Sequence, residues 1–177
     1  MVEHSILLVE GARPIRQPPY RLGPQKVAEA DRQVQELLEK GLIKPANRAW
    51  SSPVVMVWKK DGGWRFCIDY RQLNAITQQD AYPIPKINEN LDALAGSRHF
   101  STLNLTSGYW QVPLDLDAKE KSVFATRNCF WKWKFLPFRL TSAPATSQML
   151  IESVLKGLHW KSLLLYCNST RFQDLSG

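Results

Sequence analysis

The feature that most constrains the fold is a β-hairpin closed by a glycine-rich turn. Residues 54–58 form an apolar run of strand length, and residues 64–69 alternate in the manner of a returning strand. Between them, Asp61, Gly62 and Gly63 provide the residue types that tight hairpin turns require. A second hairpin is predicted for residues 122–126 and 130–135, around the turn at Arg127 and Asn128. The sequence therefore predicts a sheet with antiparallel pairs.

Helical periodicity occurs in three segments and does not alternate strictly with the strands. Helices are predicted for residues 24–40, 85–95 and 142–157, and further strands for residues 100–105 and 163–166. Residues 1–23 contain several prolines and arginines and predict an extended arm rather than a helix. This order of elements favours an α+β fold with a mixed or antiparallel sheet and packed helices.

The charge balance indicates the class of partner. The chain of 177 residues carries 23 Lys and Arg against 16 Asp and Glu, a formal net charge of +7. A basic surface favours a polyanionic partner, of which nucleic acid is the commonest. The sequence contains no apolar run of membrane-spanning length, and we expect no secretory signal, because the apolar run at residues 6–9 is short and is followed by Glu10. We therefore expect an intracellular protein of the cytoplasm or nucleus.

The cysteines and the second hairpin have structural interpretations. Cys67, Cys129 and Cys167 are odd in number and lack the CxxC spacing of zinc sites, so we interpret them as buried apolar groups. In the second hairpin the alternation predicts a stripe of core aromatic residues with two lysines pointing outward. The stripe is Trp131, Trp133 and Phe135, and the lysines are Lys132 and Lys134.

A series of motifs carries a family resemblance. The longest is KKDGGWRFCIDYRQLN at residues 59–74. The others lie at residues 14–22, 36–43, 52–55, 81–85, 100–103, 107–112, 136–138 and 143–146. In order and spacing they resemble the reverse transcriptase, an RNA-directed DNA polymerase, of gypsy-class long-terminal-repeat retrotransposons and of retroviral pol polyproteins. The resemblance covers roughly residues 2–169.

The resemblance implies a right-hand polymerase fold, with fingers and a partial palm and without a thumb. Residues 24–99 would be mainly fingers and residues 100–169 mainly palm, and the two interleave in the family. Residues 170–177 do not follow the family pattern and are expected to form a tail.

The catalytic positions of the family are altered in this sequence. The family holds two Mg²⁺ ions with three aspartates, because Mg²⁺ prefers anionic oxygen ligands. The matching positions here are Asn104, Asn168 and Ser169. The resemblance therefore implies that polymerase activity is lost and that no metal or other cofactor is bound. Asp115 and Asp117, predicted to lie on one face of a strand, are interpreted as solvated surface, and Asp69 as a structural salt bridge.

The nucleotide pocket of the family is partly retained. By resemblance it would involve Lys59, Lys60, Arg65, Tyr109, Phe138, Arg139 and Gln148. Either Lys59 or Lys60, together with Arg65, would hold the triphosphate, and Tyr109 would pack beneath the sugar. Arg139 stands where the family has glycine, and Ser147 stands where it has phenylalanine. Without the resemblance, the three hairpin cations would be interpreted as solvated surface.

Several functions remain open from the sequence. We favour a retroelement-derived reverse-transcriptase-like domain that is catalytically inactive and retains weak binding of an RNA or DNA primer–template. The alternatives are a host-adopted protein-interaction or regulatory module with an unknown protein partner, and a non-functional coding remnant. An active polymerase fragment is the least favoured alternative.

Overall fold

The computed structural model describes residues 2–47, 49–60, 62–80, 82, 105 and 107–156. Within these residues the chain forms four α-helices, one 3-10 turn and five β-strands. The helices are α1 (Pro24–Glu39), α2 (Arg71–Ala75), α3 (Leu116–Lys121) and α4 (Ala143–Val154), and the 3-10 turn is Gly108–Gln111. The strands are β1 (Ile43–Pro45), β2 (Ser52–Trp58), β3 (Trp64–Ile68), β4 (Phe124–Ala125) and β5 (Phe130–Trp133).

The described strands form one mixed sheet in the order β1-β5-β4-β2-β3. Both predicted hairpins are confirmed, since β2 pairs antiparallel with β3 and β4 pairs antiparallel with β5. The two hairpins meet where β2 runs parallel to β4, with Ser52 opposite Phe124 and Pro53 opposite Ala125. The short edge strand β1, which the sequence did not predict, pairs antiparallel with β5.

Helix α1 begins and ends where the sequence predicts. Pro24 occupies its first turn, and Ala30, Val34 and Leu37 form its buried face. Gly41 has a φ of 66°, a left-handed conformation that glycine adopts without steric cost. This turn lets the backbone N–H of Leu42 donate to the Leu37 carbonyl at 3.0 Å, which terminates the helix and directs the chain into β1.

The core lies where the sheet, α1 and the loop before α4 converge. Tyr70 is 1% exposed, and its hydroxyl donates to the carbonyl oxygen of Ser122 at 2.7 Å. Phe124 is fully buried and packs edge-on against Phe66, with ring centroids 5.7 Å apart. The predicted aromatic stripe is confirmed, because Trp133 is buried and its two neighbours in the stripe pack against the core.

The N-terminal arm is fastened to the rest of the fold at several places. The backbone N–H of His4 donates to the Pro113 carbonyl, and the N–H of Asp115 donates to the His4 carbonyl. Further along, the N–H of Gln78 donates to the Leu7 carbonyl. Between these fastenings Ile6 is buried in the core. The arm is therefore part of the packed structure.

Three expectations were wrong. Asp115 and Asp117 lie in a helical segment, not on a strand: the Asp115 side chain accepts from the backbone N–H of Ala118 and caps α3. Because α3 packs on β5, Lys132 is mostly buried and pairs with Glu120 instead of pointing into solvent. Cys129 is exposed, since it lies beside the hairpin turn, whereas Cys67 is buried as expected.

Other predicted elements cannot be compared with the structure. Three of them lie outside the described residues: the helix at residues 85–95, the strand at residues 163–166 and nearly all of the strand at residues 100–105. Cys167 also lies outside them.

Helix α4 confirms the third predicted helix. Ser142 precedes its first residue, and a proline lies in its first turn.

His4 makes the stability of the fold dependent on pH. Its Nδ1 lies 2.8 Å from Thr146 Oγ1, and burial lowers the pKa of the imidazole from 6.5 to about 4, against the opposing effect of Asp115 and Asp80. Between these values the unfolded chain binds a proton that the folded chain does not. We therefore expect the free energy of unfolding to fall by on the order of 3 kcal/mol as the pH falls from about 6.5 to 4.

Urea unfolding of the chain and of a His4→Asn variant, at several pH values across this range, measures the effect. Asparagine can keep a hydrogen bond near the position of Nδ1 but does not titrate, so the variant should lose much of the acid dependence. An equally steep dependence in both proteins would contradict the assignment to His4.

Candidate functional site

The β2–β3 hairpin positions three of the predicted nucleotide-binding cations. Its turn is built on Gly62 and Gly63, whose φ values are 87° and 90°. The backbone N–H of Lys59 donates to the Gly63 carbonyl at 3.0 Å, which closes the turn. Lys59, Lys60 and Arg65 line an open depression of about 390 Å³ together with Val57 and Trp58. The structure therefore brings these three cations together.

Arg65 and the aromatic pair of the hairpin belong to opposite faces. In the antiparallel register Arg65 lies opposite Val57, and Trp64 lies opposite Trp58. Since successive residues of a strand point to opposite faces, Arg65 and Cys67 share one face of β3 while Trp64 belongs to the other. Arg65 is exposed and Cys67 is buried.

Tyr109 and Phe138 are also brought together. Their rings meet edge-on with centroids 5.1 Å apart, and Trp110 contacts Phe138 at 6.0 Å. The 3-10 turn that carries Tyr109 packs against α4. Phe138 is 51% exposed. The cluster therefore packs against α4 through the 3-10 turn and exposes an aromatic ring at Phe138.

Arg139 adopts a backbone conformation that favours glycine. Its φ is 76°, and for a residue with a Cβ the left-handed region costs about 1–2 kcal/mol. Asn74 holds this loop from both sides: its Nδ2 donates to the Arg139 carbonyl at 2.8 Å, and its Oδ1 accepts from the Thr141 N–H at 3.0 Å. The loop keeps a glycine-like conformation although an arginine occupies it.

The environment of Cys67 relates Arg139 to the hairpin. Burial raises the pKa of the Cys67 thiol, and the charges of Arg139 and Arg65 oppose this rise. Both guanidinium groups are therefore close enough to influence the same thiol.

Gln148 lies among the buried residues of α4. It is fully buried, and its Nε2 donates to Glu152 Oε1 at 2.7 Å, one turn further along the helix. Its Oε1 has no hydrogen-bond partner among the described residues. Ser147 beside it is also buried, at the position where a phenylalanine was expected from the resemblance.

The predicted catalytic positions Asn104, Asn168 and Ser169 lie outside the described residues. Within the part of the chain that the structure describes, no group of three or more His, Cys, Asp or Glu residues could hold a metal ion. The three aspartates considered in the sequence analysis have structural partners. Asp115 caps α3, and Asp117 pairs with Lys121.

Asp69 forms the structural salt bridge that was predicted. Its carboxylate accepts from Arg71 Nε at 2.9 Å and from Arg71 Nη2 at 2.7 Å, and it also accepts from the Tyr20 hydroxyl at 3.0 Å. The hydrogen bonds from Arg71 are the main reason that the pKa of Asp69 is lowered to about 2. The hydrogen bond from Tyr20 fastens the second part of the arm to Asp69, the residue that follows β3.

Two of these positioning residues were not identified from the sequence. Asn74 contacts a loop that lies 65 residues away in the chain, and Tyr20 contacts a carboxylate 49 residues away. Local periodicity contains no information about such pairs. Their only sequence signal is that both lie within the motifs at residues 14–22 and 59–74.

The mixed sheet, the cationic hairpin and the Tyr109–Phe138 contact agree with the right-hand polymerase fold that the sequence resemblance implies. The family model described as reverse transcriptase (RNA-dependent DNA polymerase) matches residues 57–172. The chain is 37% identical over 158 residues to a retrovirus-related Pol polyprotein from transposon 297 of Drosophila melanogaster. It is 32% identical over 157 residues to the enzymatic polyprotein of figwort mosaic virus. The chain belongs to the reverse transcriptase family.

Solved structures agree with this assignment. The prototype foamy virus protease–reverse transcriptase superposes with a TM-score of 0.80 at 25% identity, covering 93% of this chain and 22% of that one. The foamy viral enzyme in complex with an RNA/DNA hybrid superposes with a TM-score of 0.75 at 20% identity, a likeness of fold. The predicted fingers-and-palm fold class is confirmed.

The chain spans a small part of these relatives. Its alignment covers 86% of its own length but 15% of the transposon 297 polyprotein and 24% of the figwort mosaic virus polyprotein. Among the described residues, no helix is both long and apolar enough to cross a membrane.

The left-handed conformation of Arg139 can be tested with two substitutions. Arg139→Ala keeps the Cβ and its steric cost, whereas Arg139→Gly removes both, and neither variant has the arginine side chain. We expect the glycine variant to be more stable to urea than the alanine variant by about 1 kcal/mol. Equal stabilities, or a more stable alanine variant, would contradict the left-handed conformation at this position.

Proposed function

We propose that this chain is a retroelement-derived, reverse-transcriptase-like domain that binds nucleic acid and does not catalyse nucleotide addition. The observation that carries the proposal is the donor set at the three family catalytic positions. Asn104, Asn168 and Ser169 supply neutral oxygens where the family has carboxylates. We place its fingers mainly in residues 24–99 and its palm mainly in residues 100–169.

This donor set does not fit a pair of Mg²⁺ ions. Mg²⁺ is a hard cation that gives up its hydration water reluctantly, and anionic oxygens compensate that loss. An amide or hydroxyl oxygen brings a dipole but no net charge. Two such ions held close together would repel each other without any carboxylate between them. We therefore assign no step of a reaction to bound metal in this chain.

The three aspartates considered in the sequence analysis have other partners within the described residues. Asp69 is held by Arg71 and Tyr20, Asp115 caps α3, and Asp117 pairs with Lys121. Recruiting any of them to a metal would break contacts that stabilise the fold. Their engagement supports the loss of catalysis.

The nucleotide pocket supports the same proposal. Lys59, Lys60 and Arg65 remain on the hairpin, and Tyr109 remains in contact with Phe138. However, the long cationic side chain of Arg139 stands where the family has a glycine. These residues favour retained affinity for phosphate groups over productive placement of a nucleotide.

Charge and structural likeness support nucleic acid as the partner. The net charge is +7, and the hairpin depression is lined by three cations. One structural neighbour, the foamy viral protease–reverse transcriptase, was solved in complex with an RNA/DNA hybrid. Lys and Arg contacts with phosphates provide affinity that does not depend on sequence.

Loss of catalysis is tested first by Mg²⁺ titration. We expect Mg²⁺ to leave the melting temperature of the chain unchanged beyond its effect on a salt-matched control. A variant with Asn104→Asp, Asn168→Asp and Ser169→Asp should be stabilised by Mg²⁺, because ligand binding to the folded state raises stability. Primer extension by the unmodified chain should not exceed a protein-free control. Extension above that control would contradict the proposal.

Nucleic-acid binding is tested by fluorescence anisotropy with an RNA–DNA primer–template over a series of salt concentrations. We expect the logarithm of the binding constant to fall linearly with the logarithm of the salt concentration. Lys59→Gln or Lys60→Gln should weaken binding and reduce the slope by about one. Lys40→Gln is the matched control, because Lys40 is an exposed lysine at the end of α1, away from the hairpin.

Absence of binding at low salt by a folded sample would contradict the nucleic-acid function. The protein-interaction module and the non-functional remnant would then remain. A folded state is verified by far-ultraviolet circular dichroism of the same sample.

A further inference from the structure

The end of the β2–β3 hairpin presents an exposed tryptophan. Trp58 is the last residue of β2, and 60% of its surface is exposed to solvent. It lies on the same strand face as Val54 and Met56, which are 3% and 4% exposed. The apolar face of the strand therefore continues beyond the core into solvent at Trp58. Core packing explains Val54 and Met56 but not the exposure of Trp58.

A second tryptophan holds this side chain. Trp64 lies directly opposite Trp58 in the antiparallel register. Their rings meet nearly at right angles, with centroids 4.8 Å apart and an interplanar angle of 76°. Trp64 is itself anchored, because Gln33 of α1 donates to its backbone carbonyl at 3.1 Å. Trp64 therefore supports the Trp58 ring on one side, and most of the surface of Trp58 remains exposed to solvent.

Lysines surround the aromatic pair. Lys26 Nζ lies over the Trp64 ring, 4.9 Å from its centroid, and Lys59 and Lys60 follow Trp58 directly in the chain. Within the described residues none of these three lysines forms an ion pair with a carboxylate. The nearby Glu29 of α1 is held by Arg32 and Gln33. Among the described residues, the charged side chains next to Trp58 and Trp64 are therefore mainly cationic.

We propose that Trp58 is a stacking platform for an unpaired base, with Lys26, Lys59 and Lys60 contacting the adjacent phosphates of a single-stranded nucleic acid. An exposed aromatic ring beside cations matches both parts of such a ligand, since every base has a flat π-face and every linkage carries a charge. A peptide of acidic residues would satisfy the lysines but leave the ring uncovered. Trp58 and Arg65 point to opposite faces of their strands, and both side chains border the depression at the end of the hairpin together with Lys59 and Lys60.

The inference rests on the proposed nucleic-acid binding and assigns part of it to a particular surface. Three fluorescein-labelled probes separate the contributions of base and phosphate: an oligothymidylate of about ten nucleotides, an abasic strand of the same length, and a blunt duplex of that length. The abasic strand keeps the charge but lacks bases. The duplex keeps its bases stacked on one another.

Trp58→Ala should weaken binding of the oligothymidylate roughly five- to a hundred-fold in dissociation constant and leave the other two probes nearly unchanged. Trp58→Phe should retain much of the affinity, since a smaller ring can still stack. Leu116→Ala is the control, because Leu116 is 81% exposed on α3, apart from the hairpin. It should bind all three probes as the unmodified chain does.

Two results would overturn the inference, and they differ in their meaning. If Trp58→Ala, folded by circular dichroism, binds the oligothymidylate as tightly as the unmodified chain, the platform is wrong while salt-dependent binding still stands. An equal loss on the abasic strand has the same meaning. If the unmodified chain binds no probe at low salt, both the platform and the proposed nucleic-acid function are wrong.

Discussion

The fold depends on the short parallel pairing of β2 with β4. Two residue pairs join the strands, Ser52 with Phe124 and Pro53 with Ala125, so the ladder alone contributes few hydrogen bonds. Burial around it supplies the rest: Phe124 is fully buried, and the Tyr70 hydroxyl satisfies the Ser122 carbonyl just before β4. A buried carbonyl without that donor would cost about 1–3 kcal/mol. The pairing of β2 with β4 therefore fixes the β2–β3 hairpin relative to the β4–β5 hairpin.

Hydrogen bonds between the segment after β3 and the loop after β5 hold that loop in place. Asn74 follows the first hairpin in the chain, yet its amide binds both sides of the loop at Arg139. Because the amide uses its donor and its acceptor at once, the loop conformation is determined by hydrogen bonds rather than by the residue at its centre. This explains how an arginine can stand at a φ of 76°. The backbone of this loop therefore accommodates an arginine where the family has a glycine.

The sequence predicted those parts of the fold that depend on local patterns. Helix α1, both hairpins and helix α4 follow from periodicity, proline and glycine positions, and the motifs led to the correct family. Helix α3 was mistaken for a strand because Leu114, Asp115, Leu116 and Asp117 alternate, and in the folded chain the capping bond of Asp115 outweighs that alternation. The contacts of Asn74, Tyr20 and His4 were not predicted, since each partner is distant in sequence and is brought near only by the assembled sheet.

Retention of this fold is compatible with the proposed loss of catalysis, because folding and metal binding depend on different interactions. The core is built from apolar side chains such as Val112, Leu114 and Leu136, all fully buried, and from backbone pairing. Within the described residues, two carboxylates illustrate how acids stabilise this fold. Asp115 caps α3, and Asp69 forms a salt bridge with Arg71. A change from aspartate to asparagine at a metal position removes charge from the metal site and takes no apolar group from this core. Family likeness can therefore stay high over a chain in which the residues at the family's metal positions have changed.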